Sequence, residues 1–149
     1  MCKTCQKPTE CQVKSQRWVL SNELAIGFYG QKVQRDFIEK IKAEEFGCLV
    51  FTKHVQKRMV ERAVGESDIL SMIINGDPIE YYKNQYGTQK ITFWSNVKTG
   101  VASYRPLHII MKNRRGEEQW SVVTVYDPRS EVWRWDSSFT ERICFCEKN

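Results

Sequence analysis

Apolar residues change their spacing halfway along this chain. In the first half they recur every three to four positions; in the second they alternate or run together in short blocks. The stretch QKVQRDFIEKIKAEEF (31–46) sets Val33, Phe37, Ile38 and Ile41 on one side, which predicts an amphipathic helix stopped by Gly47. Before it, SNELAIGFYG (21–30) reads as a short helix opened by Ser21 or Asn22 and weakened by Gly27. After a brief extended CLVF, Thr52 stands where an N-cap belongs, and KHVQKRMVERAV (53–64) forms a helix ending at Gly65. Ser67 then caps SDILSMIIN, with Ile69, Met72 and Ile73 on its apolar side and Gly76 after it.

The second half has the signature of strands. IEYY, KITFWSNV, RPLHIIMK and EQWSVVTVYD are β-branched and aromatic runs, separated by turn clusters at KNQYGTQ, KTG and NRRGEE. Short turns imply antiparallel neighbours. In the third run Leu107, Ile109 and Met111 alternate with His108 and Ile110, so His108 faces away from the Leu107 row. RICFC near the end offers a further edge strand. The whole predicts an α+β fold, with N-terminal helices packed on a four- to five-stranded antiparallel sheet. Residues 1–20 read as a cysteine-containing arm, irregular or metal-organised to about residue 17, and 21–149 as one domain without internal repeats.

Composition narrows the class. Hydrophobic residues at 41% and charged residues at 28% are the balance of a folded soluble domain, and 149 residues suffice for a real core. No apolar run approaches the roughly 20 residues of a membrane span. The polar start MCKTCQKPTECQVKSQ lacks the apolar middle of a secretory signal, so the expected location is the cytoplasm. There the six cysteines are expected as thiols or metal ligands and not as disulfides. The net charge of +5 permits a nucleic-acid or acidic-protein partner without demanding one.

The chemistry-bearing residues are few. On the helix 53–64, His54, Arg58 and Arg62 project in one row beside the apolar row of Val55, Met59 and Ala63. The only other histidine, His108, follows Arg105 by three residues on a strand. A histidine pair can act as base and acid in one reaction, and arginine forks bind phosphate and stabilise charge growing on phosphorus. With Tyr126, such a set suffices for metal-independent RNA cleavage, in which the ribose 2′-OH attacks the adjacent phosphate. The same residues also suit structural duty: a hydrogen-bonded strand histidine, and surface arginines paired with Glu61 or Glu66.

Three motifs, in order, carry a resemblance. FTKHVQKRMVERAVGESDIL, YRPLHIIM and VVTVYDPRSEVW resemble the opening helix, Arg-Pro-Leu-His strand and closing strand of the bacterial domain of unknown function 4258 family, over about residues 50–135. That family is grouped with RelE-like and BrnT-like toxins, small α+β domains that cleave RNA without a metal. The resemblance implies that His54 and His108 share acid and base duties. Arg58, Arg62 and Arg105 would hold the scissile phosphate, and Tyr126 would orient it or donate a proton. A toxin implies a cognate inhibitor, acidic against this basic surface. The chain departs from the pattern at Ala63-Val64, where the family has Gly-Ile, in a longer MKNRRGEEQW hairpin, and in some 50 leading residues.

Other features serve either this reading or a second one. CKTC and CFC supply Cys2, Cys5, Cys144 and Cys146, which can complete a structural zinc site tying the two termini together; Cys11 lies nearby and Cys48 reads as core. Lys112, Arg114 and Arg115 at a hairpin tip can lean on an RNA backbone. Trp133 and Trp135 can stack bases or pack in the core. The second reading is a non-catalytic interaction module of the same fold, for example a phage-encoded inhibitor that binds a host protein or nucleic acid. The two readings differ in one geometric requirement: a nuclease needs His54, Arg58, Arg105 and His108 converging around one open cleft.

Overall fold

A computed structural model describes residues 5–146. Helices α1 (Pro8–Ala25) and α2 (Gln31–Lys42) lead into a short strand β1 (Leu49–Phe51) and helices α3 (Lys53–Glu61) and α4 (Glu66–Asn75). Strands β2 (Asp77–Lys83), β3 (Gln89–Lys98), β4 (Tyr104–Asn113) and β5 (Trp120–Tyr126) follow as a meander. The fold is α+β, as the change of apolar period predicts. The sheet order is β1-β5-β4-β3-β2, and β1 runs parallel to β5, so the sheet is mixed and not wholly antiparallel. Parallel pairing needs a long crossover. Here α3, α4 and the three intervening strands supply it.

One sheet face carries the apolar core. Ile91, Phe93, Leu107, Ile109, Met111 and Val122 meet Phe37 from α2, Val55 and Met59 from α3, and Ile69, Met72 and Ile73 from α4. Cys48 joins this core, as expected. Helix ends follow local chemistry. The Thr52 hydroxyl accepts the Val55 N–H at 3.1 Å, capping α3 as expected. α3 stops at Glu61, short of Val64, because Ala63 adopts φ 52°. Gly65 and not Ser67 opens α4, its N–H held by the Asp68 carboxylate at 2.8 Å. α2 ends at Lys42, since Glu44 at φ 59° already turns the chain before Gly47. Gly76 closes α4 where a Cβ would press on the carbonyl oxygens of Met72 and Trp94, so no larger residue fits there.

The N-terminal region differs most from its sequence reading. Residues from Pro8 onward are helical, not an irregular arm; proline suits a first helical turn because its missing N–H would be unpaired there. SNELAIGFYG is no separate helix, for α1 passes through one π-helical turn (Ile26–Gly30) directly into α2. Asn22 does not cap anything. Its side chain donates to the Ile79 carbonyl at 2.8 Å and accepts the Tyr81 N–H at 3.0 Å, so α1 lies along the open edge of β2. RICFC adds no edge strand: its one bridge among the described residues is Arg142 to Trp135. Instead the chain after β5 crosses the sheet face that α2 to α4 leave bare. No helix among the described residues is long and apolar enough to cross a membrane.

Candidate functional site

The residues expected to act together fall on two faces of the sheet. On the helix side, His54 is exposed at the first turn of α3. Arg58, one turn on, is ion-paired to Glu61 at 3.0 Å, the surface pairing that the sequence also allows. Arg62 is the C-terminal cap of α3, and its Nη1 is buried without a hydrogen-bond partner. Arg105 at the start of β4 has the parity of Leu107 and so points toward α3. Its Nη2 donates to the Arg62 carbonyl, and to that of Ala63 at 3.4 Å. A guanidinium at a helix C-terminus satisfies orphaned carbonyls and meets the negative end of the helix dipole. Arg105 thus positions α3.

His108 and Tyr126 lie on the opposite face, opposite each other in the β4–β5 register. His108 is wholly buried. Its Nε2 lies 2.6 Å from the Phe139 carbonyl, which can only accept, so Nε2 carries the proton. Nδ1 then accepts the Tyr126 hydroxyl at 2.9 Å. The imidazole also meets the Trp135 ring edge to face at 4.5 Å. Burial pushes the His108 pKa down from 6.5 to about 4; the Phe139 hydrogen bond opposes this shift and the nearby Arg142 charge adds to it. Burial, with the charges of Glu131 and Glu80, pushes the Tyr126 phenol well above its ordinary range. At neutral pH the pair is an uncharged, doubly hydrogen-bonded unit beneath the tail. His54 and His108 do not meet.

The tail that covers this face is held by charge as well as by packing. Arg142 binds Glu80 of β2 in two-point fashion, at 2.8 and 3.0 Å, and its guanidinium lies over Trp135 at 4.8 Å. Lys90 and Thr92 of β3 flank the pair, and with Trp18 and Phe145 they line a cleft of about 280 Å³. Burial lowers the Lys90 pKa against the pull of Glu80, and Thr92 Oγ1 is buried without a partner. Sequence reasoning passes over this polar set because Glu80 and Arg142 stand 62 positions apart. The one local signal is Glu80 itself, a lone carboxylate inside IEYY.

Lys112, Arg114 and Arg115 are exposed at the β4–β5 hairpin tip. They stand at the far end of β4 from Arg105, with Lys112 roughly 23 Å away by strand rise. Of the tryptophans, Trp135 is 2% exposed and serves the tail's packing, while Trp133 lies half-buried under the Arg134 guanidinium at 4.8 Å.

Thiols from both ends of the chain converge. Cys5, Cys11 and Cys146 place their sulfurs within 4.8 Å of one another, a set that could hold a metal ion. Cys144, fully buried, lies with its sulfur 3.7 Å from that of Cys11. Cys2 lies outside the described residues. The unexpected member is Cys11, which α1 carries to the cluster because the arm is helical from Pro8.

A family model described as a domain of unknown function (DUF4258) matches residues 51–127, from β1 through the start of the tail. No curated protein and no solved structure matches the chain. The matched span is just over half of the 149 residues and includes the first two motifs of the sequence reading and the first half of the third, VVTVYD. The chain belongs to the domain of unknown function 4258 family.

Proposed function

We propose that this chain is a non-catalytic interaction module that docks a partner protein on α1. The observation that carries this reading is an apolar row on the outer side of α1 that continues into the π-helical turn. Leu20, Leu24 and Phe28, each four residues after the last, are 66, 63 and 71% exposed. Three large apolar side chains stacked on successive turns make a ridge that an apolar helix or groove of another protein can cover. Leaving them in water has no use within the monomer, whose core lies elsewhere. Zinc, the ion that clustered thiolates favour, serves such a module as structure and not as chemistry.

The metal-independent nuclease of the sequence reading, with its toxin role and acidic inhibitor, is the second proposal. What favours it is the cationic outer side of α3, where Lys53 and Lys57 are exposed beside His54 and, among the described residues, neither lysine pairs with a carboxylate. What opposes it is the separation of the two histidines by the sheet, with both nitrogens of His108 already engaged.

One set of proteins separates these readings. Wild type, a Leu20→Glu/Leu24→Glu variant and a Lys57→Ala/Arg58→Ala variant are compared for protein capture and for binding and cleavage of total RNA. The docking reading expects one partner protein, or a second copy detected by light scattering, retained by wild type and the α3 variant and lost with the α1 variant. RNA cleavage abolished by His108→Ala or His54→Ala would sink it in favour of the nuclease. Salt-sensitive RNA retention lost only with the α3 variant would replace it with a nucleic-acid module.

A further inference from the structure

We infer that Cys5, Cys11, Cys144 and Cys146 bind one zinc ion, and that this ion is the clasp holding the C-terminal tail over the His108 face. The inference extends the zinc reading above and is independent of what docks on α1. A tetrahedral zinc with bonds of about 2.3 Å sets its sulfurs about 3.8 Å apart. Cys11 and Cys144 already stand 3.7 Å apart, and Cys11 is also within 4.8 Å of both Cys5 and Cys146. Cys11 is therefore the centre of the set, and Cys144, which lies outside the 4.8 Å group, must draw in as the ion binds. Two ligands come from the start of the chain and two from its end, so the ion would link segments more than 130 residues apart.

A second observation shows why a clasp belongs here. The first half of α1 has no apolar side buried in the core; its only buried residues along the whole helix are Ser15 and Asn22. What joins these turns to the tail is slight: the Ser15 hydroxyl donating to the Arg142 carbonyl at 3.0 Å, an edge contact of Trp18 with Phe145, and Lys14 over the same ring. The tail is seated on the sheet by the Arg142–Glu80 pair, the Phe139 carbonyl on His108 and buried Trp135, but its last residues have only local backbone attachments, such as Ile143 N–H to the Arg134 carbonyl at 2.8 Å. Neither segment carries a core of its own. A metal bond between them supplies folding free energy that packing does not.

The charge also suits the ion. Four thiols release four protons to solvent on binding zinc, leaving a site of net charge −2. Lys14 and Arg142 both lie beside Phe145, between Cys144 and Cys146, and Arg134 Nη2 reaches the Cys146 carbonyl at 3.4 Å. Arg142 and Arg134 are also paired with Glu80 and Glu131, so these cations offset only part of the thiolate charge.

The test uses the full-length chain, stripped of metal under reducing conditions and titrated with cobalt(II), then with zinc. A thiolate-to-cobalt charge-transfer band saturating at one equivalent, and bleached by zinc, is the expected result. Cys11→Ser and Cys144→Ser should each lose more affinity than the roughly 10–100-fold that outer-shell changes produce, while Cys48→Ala binds as wild type. Hydrogen exchange on the wild type gives the second reading without relying on a variant's folding. Stripping the metal should remove protection at the Ile143 amide and leave that of β3 intact. No cobalt band, or a chain lacking two hydrogens with Cys11 and Cys144 joined as a disulfide, overturns the zinc reading itself. Tight binding that survives Cys144→Ser, or that requires Cys2, overturns this ligand set. Unchanged protection at Ile143 overturns the clasp while leaving the metal.

Discussion

His108 illustrates how one side chain can be reassigned by its partners. From the strand pattern it is the one histidine that turns away from the apolar row, which makes it a natural acid or base. In the fold that other side is closed, and the imidazole spends both nitrogens on Phe139 and Tyr126. The consequence is measurable. The folded pKa of about 4 lies below the ordinary 6.5, so between these values the unfolded chain holds a proton that the folded chain does not. Stability is therefore full above pH 6.5 and falls as pH drops toward 4, by about 3 kcal/mol from this residue alone. Below pH 4 its contribution is flat. Urea unfolding at pH 7 and pH 4.5 should show that loss, and His108→Gln, which cannot titrate, should be weaker at pH 7 but have a flatter profile. An equal pH slope in the variant would mean that other groups carry the acid sensitivity. The orientation of His108 was legible because alternation is local; its partners, 18 and 31 residues away, were not.

Elements that a short window of sequence can specify are the ones read correctly. The apolar side of α2, the Thr52 cap and the four strands of the meander each depend on residues a few positions apart. α1 is different, since its sequence has almost no apolar periodicity and its shape is fixed by what lies beside it. Asn22 is the clearest case. By local rules it is a helix opener, yet its amide takes the place of a neighbouring strand for β2, pairing both a carbonyl and an N–H of that edge. Asn22→Leu would leave two buried backbone groups on β2 unpaired, at about 1–3 kcal/mol for each group left so. The variant should lose roughly 2–6 kcal/mol of stability by denaturation, with faster amide exchange at Tyr81 before any change in β4. Asn22→Asp, which keeps only the acceptor, should retain exchange protection at Tyr81 while losing part of the stability. If Tyr81 exchanges no faster in the leucine variant, the edge is closed by something other than this side chain.

At the scale of the molecule, two layers that share one sheet are held by different physics. The helix layer is an ordinary apolar core. The tail layer is thin, polar and joined to the sheet by the Arg142–Glu80 pair, whose side chains are 17 and 11% exposed. A pair so enclosed is weak evidence of net stability but strongly punishes the loss of one partner, because the other charge is left where water cannot reach it well. Arg142→Met should thus destabilise by about 3–5 kcal/mol, and Glu80→Met should cost a similar amount. The double variant should recover most of that loss, since two apolar side chains fit a face already lined by Trp135 and Phe145. The cycle is read by denaturation at pH 7 and high salt, where surface pairs are screened and this one is not. Additive losses in the double variant would mean that each residue acts through separate contacts. The tail would then be seated by packing and thiols alone, not by charge. A coupling of several kcal/mol would instead make Glu80, inconspicuous in the middle of IEYY, the anchor on which the whole second layer closes.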